Sequence, residues 1–285
     1  MIFEIIKFFI YSICIVMISK YILVTSLRKL AENLKMKPRA VGNIAGVATS
    51  IPELLTVTVS SFRGLMGTSL YNMISSNVIN FILYSISLII NKNYEAIRNR
   101  GIIIQNVLAI LTIVFPIVLL GLENPFHIGI VLILLMMYII FNKISKAIHE
   151  KYLKNEEKEI EEIENETIEK YANKQSFIYV GFILIASILL YFIGEALGNV
   201  LENLSESFGI AEYVLGILLG FITSVPELVT FFEAQKHYKN KKDKKLLGVI
   251  EATNNLLTSN MLNIFVIQSI GIFIYIILVW KQTKE

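Results

Sequence analysis

Eight runs of about 20 apolar residues, separated by short polar intervals, leave this chain few ways to fold. They fall near residues 3–25, 40–62, 69–91, 101–121, 126–146, 177–198, 211–234 and 252–280. A helix rising about 1.5 Å per residue needs about 20 residues to cross roughly 30 Å of hydrocarbon. With 55% hydrophobic residues, 17% charged residues and a mean hydropathy of +0.64, the runs exceed what a soluble domain of 285 residues buries. They are expected to face lipid, giving an all-α polytopic membrane protein. A membrane barrel would instead show alternating polarity in segments of about ten residues, whereas 101–121 is apolar on every face. The first run passes straight into a basic loop without a small-residue cleavage site, so it reads as a retained span.

Charge reports topology. Arg28, Lys29, Lys35, Lys37 and Arg39 follow the first span, Lys92, Arg98 and Arg100 the third, and Lys151, Lys154, Lys158, Lys170 and Lys174 lie in the 147–176 connection. Six more lysines lie between Lys236 and Lys245, whereas the intervening loops hold only Arg63. The positive-inside rule then puts the N-terminus outside and the four basic loops in the cytoplasm of a multi-pass plasma-membrane protein. The charge of +3 is small, and no nucleic-acid partner is expected. The stretch 155–170 is dense in charge, lacks the Asp/Asn/Gly pattern of a calcium loop, and reads as a solvated linker. Cys14 is the one cysteine, and His127, His149 and His237 have no i, i+4 spacing, so sulfur or imidazole metal sites are not expected. No Ser/His or Asp/Asp constellation suggests an enzyme.

A displacement of 174 positions lays residues 30–54 on 204–228 without a gap. Leu30, Glu32, Gly42, Gly46, Thr49, Ser50, Pro52, Glu53 and Leu54 recur as Leu204, Glu206, Gly216, Gly220, Thr223, Ser224, Pro226, Glu227 and Leu228. A second block follows each copy, SNVIN at 76–80 and SNMLN at 259–263. Five membrane steps separate the second span from the seventh, so the copies enter the bilayer from opposite sides. The chain accordingly divides into a first inverted repeat (1–146), the linker (147–176) and a shorter second repeat (177–285). Close helix packing explains the glycines but not a recurring glutamate in mid-membrane.

Glu53 and Glu227 need a compensating partner there, since an unpaired carboxylate costs a few kcal/mol or more. Pro52 and Pro226 are expected to loosen the helix and free carbonyls near Gly46 and Gly220. Thr49 with Glu53, Thr223 with Glu227, Ser76 with Asn80 and Ser259 with Asn263 each share a helical face at i, i+4. An all-oxygen donor set of this kind suits calcium or sodium and disfavours softer metals.

At these residues the sequence resembles the calcium/cation antiporter superfamily, in its sodium/calcium exchanger branch, whose paired α-repeats carry G-T-S-x-P-E followed by G-S-N-x-x-(N/D). Here they stand as A-T-S-I-P-E (48–53) with S-S-N-V-I-N (75–80), and I-T-S-V-P-E (222–227) with T-S-N-M-L-N (258–263). Segments 21–34 and 194–204 look like the family's first and sixth helices, so the likeness reaches to about residue 265. The resemblance implies calcium and sodium as transported ions, no cofactor, and central ligands Glu53 and Glu227. Thr49, Ser50, Thr223, Ser224, Ser76, Asn80, Ser259, Asn263 and the carbonyls of Gly46 and Gly220 would complete overlapping sites. The first and sixth helices would slide over the core. Asn263 stands where many relatives have Asp, which leaves two carboxylates. The family has ten helices, and this chain ends after the equivalent of the eighth: either the fold tolerates the absence of the last pair, a second copy or a partner subunit covers the exposed face, or the chain is a shortened, inactive relative. A proton-coupled or other divalent-cation exchanger, or a non-transporting assembly subunit, remains an alternative reading.

Overall fold

The computed structural model describes residues 1–33, 38–120, 126–153, 172–237 and 245–282, and the charged stretch 155–170 lies outside them. The described residues are helical throughout, without strands, and eight of the helical segments are long and apolar enough to cross a membrane. The first span joins α1 (Ile2–Ile18) to α2 (Thr25–Asn33) through a π-turn at Ser19–Val24. The second is broken into α3 (Pro38–Thr49) and α4 (Ile51–Phe62), and the third is α5 (Met66–Ile90). Next come α6 (Arg100–Leu120), α7 (Ile128–Tyr152) and α8 (Ala172–Glu202), which ends in a π-turn at Asn203–Ser207. The seventh span is broken into α9 (Glu212–Thr223) and α10 (Val225–His237). The last joins α11 (Lys245–Met261) to α12 (Gln268–Gln282) through a π-turn at Leu262–Ile267.

The breaks in the second and seventh spans have one cause. Pro52 and Pro226 have no N–H to give the preceding turn and clash with it. The chain pauses at Ser50 (φ −81°, ψ 0°) and Ser224 (φ −78°, ψ −1°) before restarting. Each proline then sits in the first turn of the new helix, where its missing donor does least harm.

The repeats are interleaved. Helix α3 of the first copy lies along α11 of the second, and α9 of the second lies along α5 of the first. Glycines permit both crossings. A Cβ on Gly46 would stand 2.8 Å from the Asn255 carbonyl oxygen, and one on Gly220 2.8 Å from that of Asn72. Gly216 meets the Thr68 carbonyl in the same way at 2.6 Å, and Gly42 meets that of Glu251. The touched residues correspond between copies, so a pseudo-twofold axis relates the two crossings.

Apolar packing flanks this centre on two sides. One cluster joins α5, α6, α7, α10, α11 and α12 around Tyr84, Leu134, Phe231 and Phe265. The other joins α1, α8 and α9 around Phe8, Ile15, Leu190 and Leu219. Helix α8 turns Phe177, Leu184, Ile188, Tyr191 and Phe192 outward, and only 17% of its most apolar stretch is buried, as a lipid-facing helix requires.

Several boundaries differ from the sequence expectation. Helix α7 runs to Tyr152 and α8 starts at Ala172, which shortens the 147–176 connection at both ends. The last span starts at Lys245, seven residues before the apolar run at 252–280. Lys245 and Glu251 hide that start by being charged, yet Glu251 is buried, and its carbonyl meets α3 at Gly42.

Candidate cation site

The two helix breaks bring both copies of the doubled motif to the middle of the bundle. The side chains of Thr49, Ser50, Glu53, Ser76, Asn80, Thr223, Ser224, Glu227, Ser259 and Asn263 are all buried, the most exposed being Ser50 at 2%. Because the repeats interleave, each carboxylate faces hydroxyls of both copies. Glu53 faces Ser76 of its own copy and Thr223 of the other. Glu227 faces Ser259 of its own copy and Thr49 of the other.

Hydrogen bonds tie the halves across the axis. Ser259 donates to Glu227 Oε1 at 3.2 Å, its hydroxyl lies 3.0 Å from that of Ser50, and it accepts from Asn80 Nδ2 at 3.4 Å. On the other side the Ser76 and Thr223 hydroxyls are 3.4 Å apart. The glycine carbonyls are less free than the sequence suggested. Gly46 O accepts the Ser50 N–H at 3.2 Å and the Ser50 hydroxyl at 2.9 Å, and Gly220 O accepts those of Ser224 at 3.3 and 2.8 Å. The donors that proline removes are those owed to residues 48 and 222, four back from Pro52 and Pro226, not to the glycines.

The polar bookkeeping of the site is one-sided. Both oxygens of Glu53, Oε2 of Glu227, Oδ1 of Asn80 and Oδ1 of Asn263 are buried without a hydrogen bond. All five are acceptors. A buried acceptor left unpaired costs about 1–3 kcal/mol, more when charged, and a group of them from both repeats needs a positive partner. The donors are hard oxygens, as calcium and sodium require.

Four supporting residues were not singled out from the sequence. Thr56 Oγ1 accepts from Asn72 Nδ2 at 2.6 Å, and Thr230 Oγ1 accepts from Asn255 Nδ2 at 2.5 Å. These two bonds correspond across the axis and brace each glutamate-bearing helix against its neighbour. The signal was present: the 174-residue displacement that pairs the glutamates also pairs Thr56 with Thr230, and the second block's displacement pairs Asn72 with Asn255. Asn77 and Asn260, inside the second block, were also passed over.

A search of curated proteins gives no match. Among solved structures the chain is similar to the sodium-calcium exchanger NCX_Mj soaked with 10 mM Na+ and zero Ca2+, at 20% identity and a TM-score of 0.53, over 96% of this chain and 84% of that one. The same exchanger soaked with 2.5 mM Na+ and 10 mM Sr2+ gives 21% identity and a TM-score of 0.51, over 96% and 83%. Those likenesses establish the fold. The profile of the family described as sodium/calcium exchanger protein matches residues 5–145 and 178–285, most of the chain and both repeats. The chain therefore belongs to the sodium/calcium exchanger family.

Proposed function

We propose that this membrane protein is a secondary antiporter exchanging calcium for sodium by alternating access at the site between its repeats. The observation that carries the reading is the group of five buried acceptor oxygens without donors, contributed by two glutamates and two asparagines of opposite copies. Two carboxylates balance one calcium or two sodium ions, and the surrounding hydroxyls and amide oxygens supply neutral ligands. Glu53 and Glu227 carry the charge. Asn80, Asn263, Thr49, Ser50, Ser76, Thr223, Ser224 and Ser259 complete the shell, and the Gly46 and Gly220 carbonyls join it as the Ser50 and Ser224 hydroxyls turn from them to the ion.

Alternating access requires a movable part that carries no ligand. The first span and α8 meet that condition, and α8 presents Gly194 and Gly198 to Leu55 and Val59 of α4, a smooth contact along which helices can slide. The distribution of Lys and Arg favours an orientation with the N-terminus outside and the 147–176 connection in the cytoplasm, in what we take to be the plasma membrane.

The test is calcium flux in proteoliposomes holding the purified protein, with and without a sodium gradient. Sodium-dependent calcium movement is expected. Calcium movement driven by a proton gradient and indifferent to sodium would replace sodium as the coupling ion. No cation movement under any gradient would end the transport reading.

A further inference from the structure

The amide of Asn77 is held in one orientation. Its Nδ2 donates to the Asn260 carbonyl at 3.1 Å and to the Thr112 carbonyl of α6 at 3.3 Å, which uses both of its protons. Turned over, it would set Oδ1 against two carbonyl oxygens, acceptor against acceptor. Oδ1 therefore points the other way, where it accepts from Asn263 Nδ2 at 3.1 Å. With its nitrogen engaged, Asn263 has its own Oδ1 left over, and that oxygen is one of the five without a donor.

The same arrangement recurs across the axis. Asn260 Nδ2 donates to the Asn77 carbonyl at 3.3 Å, and Asn260 Oδ1 accepts from Asn80 Nδ2 at 3.3 Å. Asn80 spends its second proton on Ser259 at 3.4 Å and likewise leaves Oδ1 unpaired. All four asparagines are fully buried, so water does not offer an alternative partner at the surface. Each orientation is thus fixed by backbone carbonyls, which can only accept.

We propose that Asn77 and Asn260 are positioning residues for the cargo cation, each turning the asparagine of the opposite repeat so that its carbonyl oxygen faces the site. The proposal rests on the exchange reading, and it adds a selection rule. Because Asn77 presents an oxygen to position 263, and Asn260 presents one to position 80, both positions must carry a donor on that side, which a neutral amide or a protonated carboxyl has and an ionised carboxylate lacks. The pair therefore holds the formal charge of the site at that of the two glutamates.

Sodium-driven calcium uptake by reconstituted protein tests this, with KM and turnover read separately. Asn77→Ala and Asn263→Ala should each raise the calcium KM about tenfold, the scale of one misdirected buried acceptor, with a smaller change in turnover. The double variant should be no worse than Asn263→Ala alone, because Asn77 acts through Asn263. Asn77→Ala combined with Asn80→Ala should instead multiply, and Asn260→Ala should show the reverse pattern of coupling. A merely structural role for Asn77 would multiply with both. Should an alanine variant fail to elute as a monodisperse peak, Asn263→Asp decides, since it leaves Asn77 and Asn260 intact. Ionised, its carboxylate meets the Asn77 oxygen with no proton between them, and protonated it adds no charge, so the calcium KM should not fall despite the added acid. Multiplying effects at Asn77 and Asn263, or tighter calcium binding by Asn263→Asp, would overturn the proposal while leaving exchange in place. A wild-type protein that neither moves nor binds calcium or sodium would remove both.

Discussion

The two repeats agree closely near their shared axis and diverge with distance from it. Gly46 and Gly220 touch corresponding carbonyls, Thr56–Asn72 matches Thr230–Asn255, and the asparagine exchange runs in both directions. One divergence begins at the site itself, where α5 continues as regular helix past Asn80 to Ile90 while the second copy opens a π-turn over Leu262–Ile267 around Asn263. Helices α6 and α7 pack on α11 and α12 of the second copy. The comparison teaches which parts of each copy answer to the ion and which to their surroundings. On the proposed function, a cation between two copies needs ligands from both, which accounts for the residues meeting there being held alike. A helix facing lipid or a neighbour has only to be apolar.

The strongest way to break the equivalence is to remove one charge at a time. Glu53→Gln and Glu227→Gln should each lower sodium-driven calcium flux by at least about a hundredfold, since each neutral isostere keeps shape and halves the charge that holds the ion. Glu227 has one oxygen bonded to Ser259 and Glu53 has none, yet both losses should be of the same order. Near wild-type flux in either variant, measured per folded protein, would show that the copies do different work and that the site needs redrawing around one glutamate.

The crossings should also fail alike, through stability instead of transport. Gly42→Ala and Gly216→Ala each push a methyl into a backbone carbonyl, of Glu251 and Thr68 respectively, and backbone cannot step aside as a flexible side chain can. Overpacking of this kind costs about 1–3 kcal/mol, read as a lower unfolding temperature in detergent. Gly181→Ala is the control, because nothing lies within 4 Å of its added carbon. Loss at one crossing only would mean that one interface can open to take the methyl.

Smaller still is the bracing pair. Thr56→Val and Thr230→Val keep the side-chain shape and strand the amide of Asn72 or Asn255, at a cost of about 1–2 kcal/mol each. The same unfolding measurement checks it. Unequal losses would show that one amide finds another acceptor.

Much of this centre was legible in the sequence because duplication marks what both copies need. Glu53 with Glu227 and Gly46 with Gly220 stand at one displacement, and buried glutamate in an apolar span has few readings besides function. Asn77 and Asn260 were just as visible but passed over, since a membrane amide reads as helix glue until its orientation is known. The start of the last span was obscured because Glu251 is charged yet buried against a neighbouring helix, a tertiary effect that hydropathy does not register. Helices α6 and α7 belong to the undoubled part of the chain, so no internal comparison could say which helices they cover.

The smallest expected effect lies where the copies differ most plainly in charge. Arg63, at the end of α4, donates to Glu202 Oε2 at 2.7 Å and to Asn199 Oδ1, joining the core to α8 at one rim. The 174-residue displacement puts His237 and Arg28 in the corresponding places, two bases where Arg63 and Glu202 are a base and an acid. An ion pair can therefore hold α8 at one rim, and the sequence does not repeat this pair of opposite charges in the other copy. Both side chains are about a third exposed, 33% and 38%, so water and salt screen the pair. Arg63→Gln and Glu202→Gln should each lower stability by no more than about 1 kcal/mol, and a double-mutant cycle should give a coupling of about 0.2–1 kcal/mol that fades in high salt. If α8 slides during transport, the pair exists in one access state and is broken in the other, so either variant should change the balance between them more than it changes unfolding. Cysteine accessibility at the two faces of the site, compared between wild type and Arg63→Gln, reads that balance. Identical accessibility would mean that the clasp travels with both helices, and that α4 and α8 move as one body.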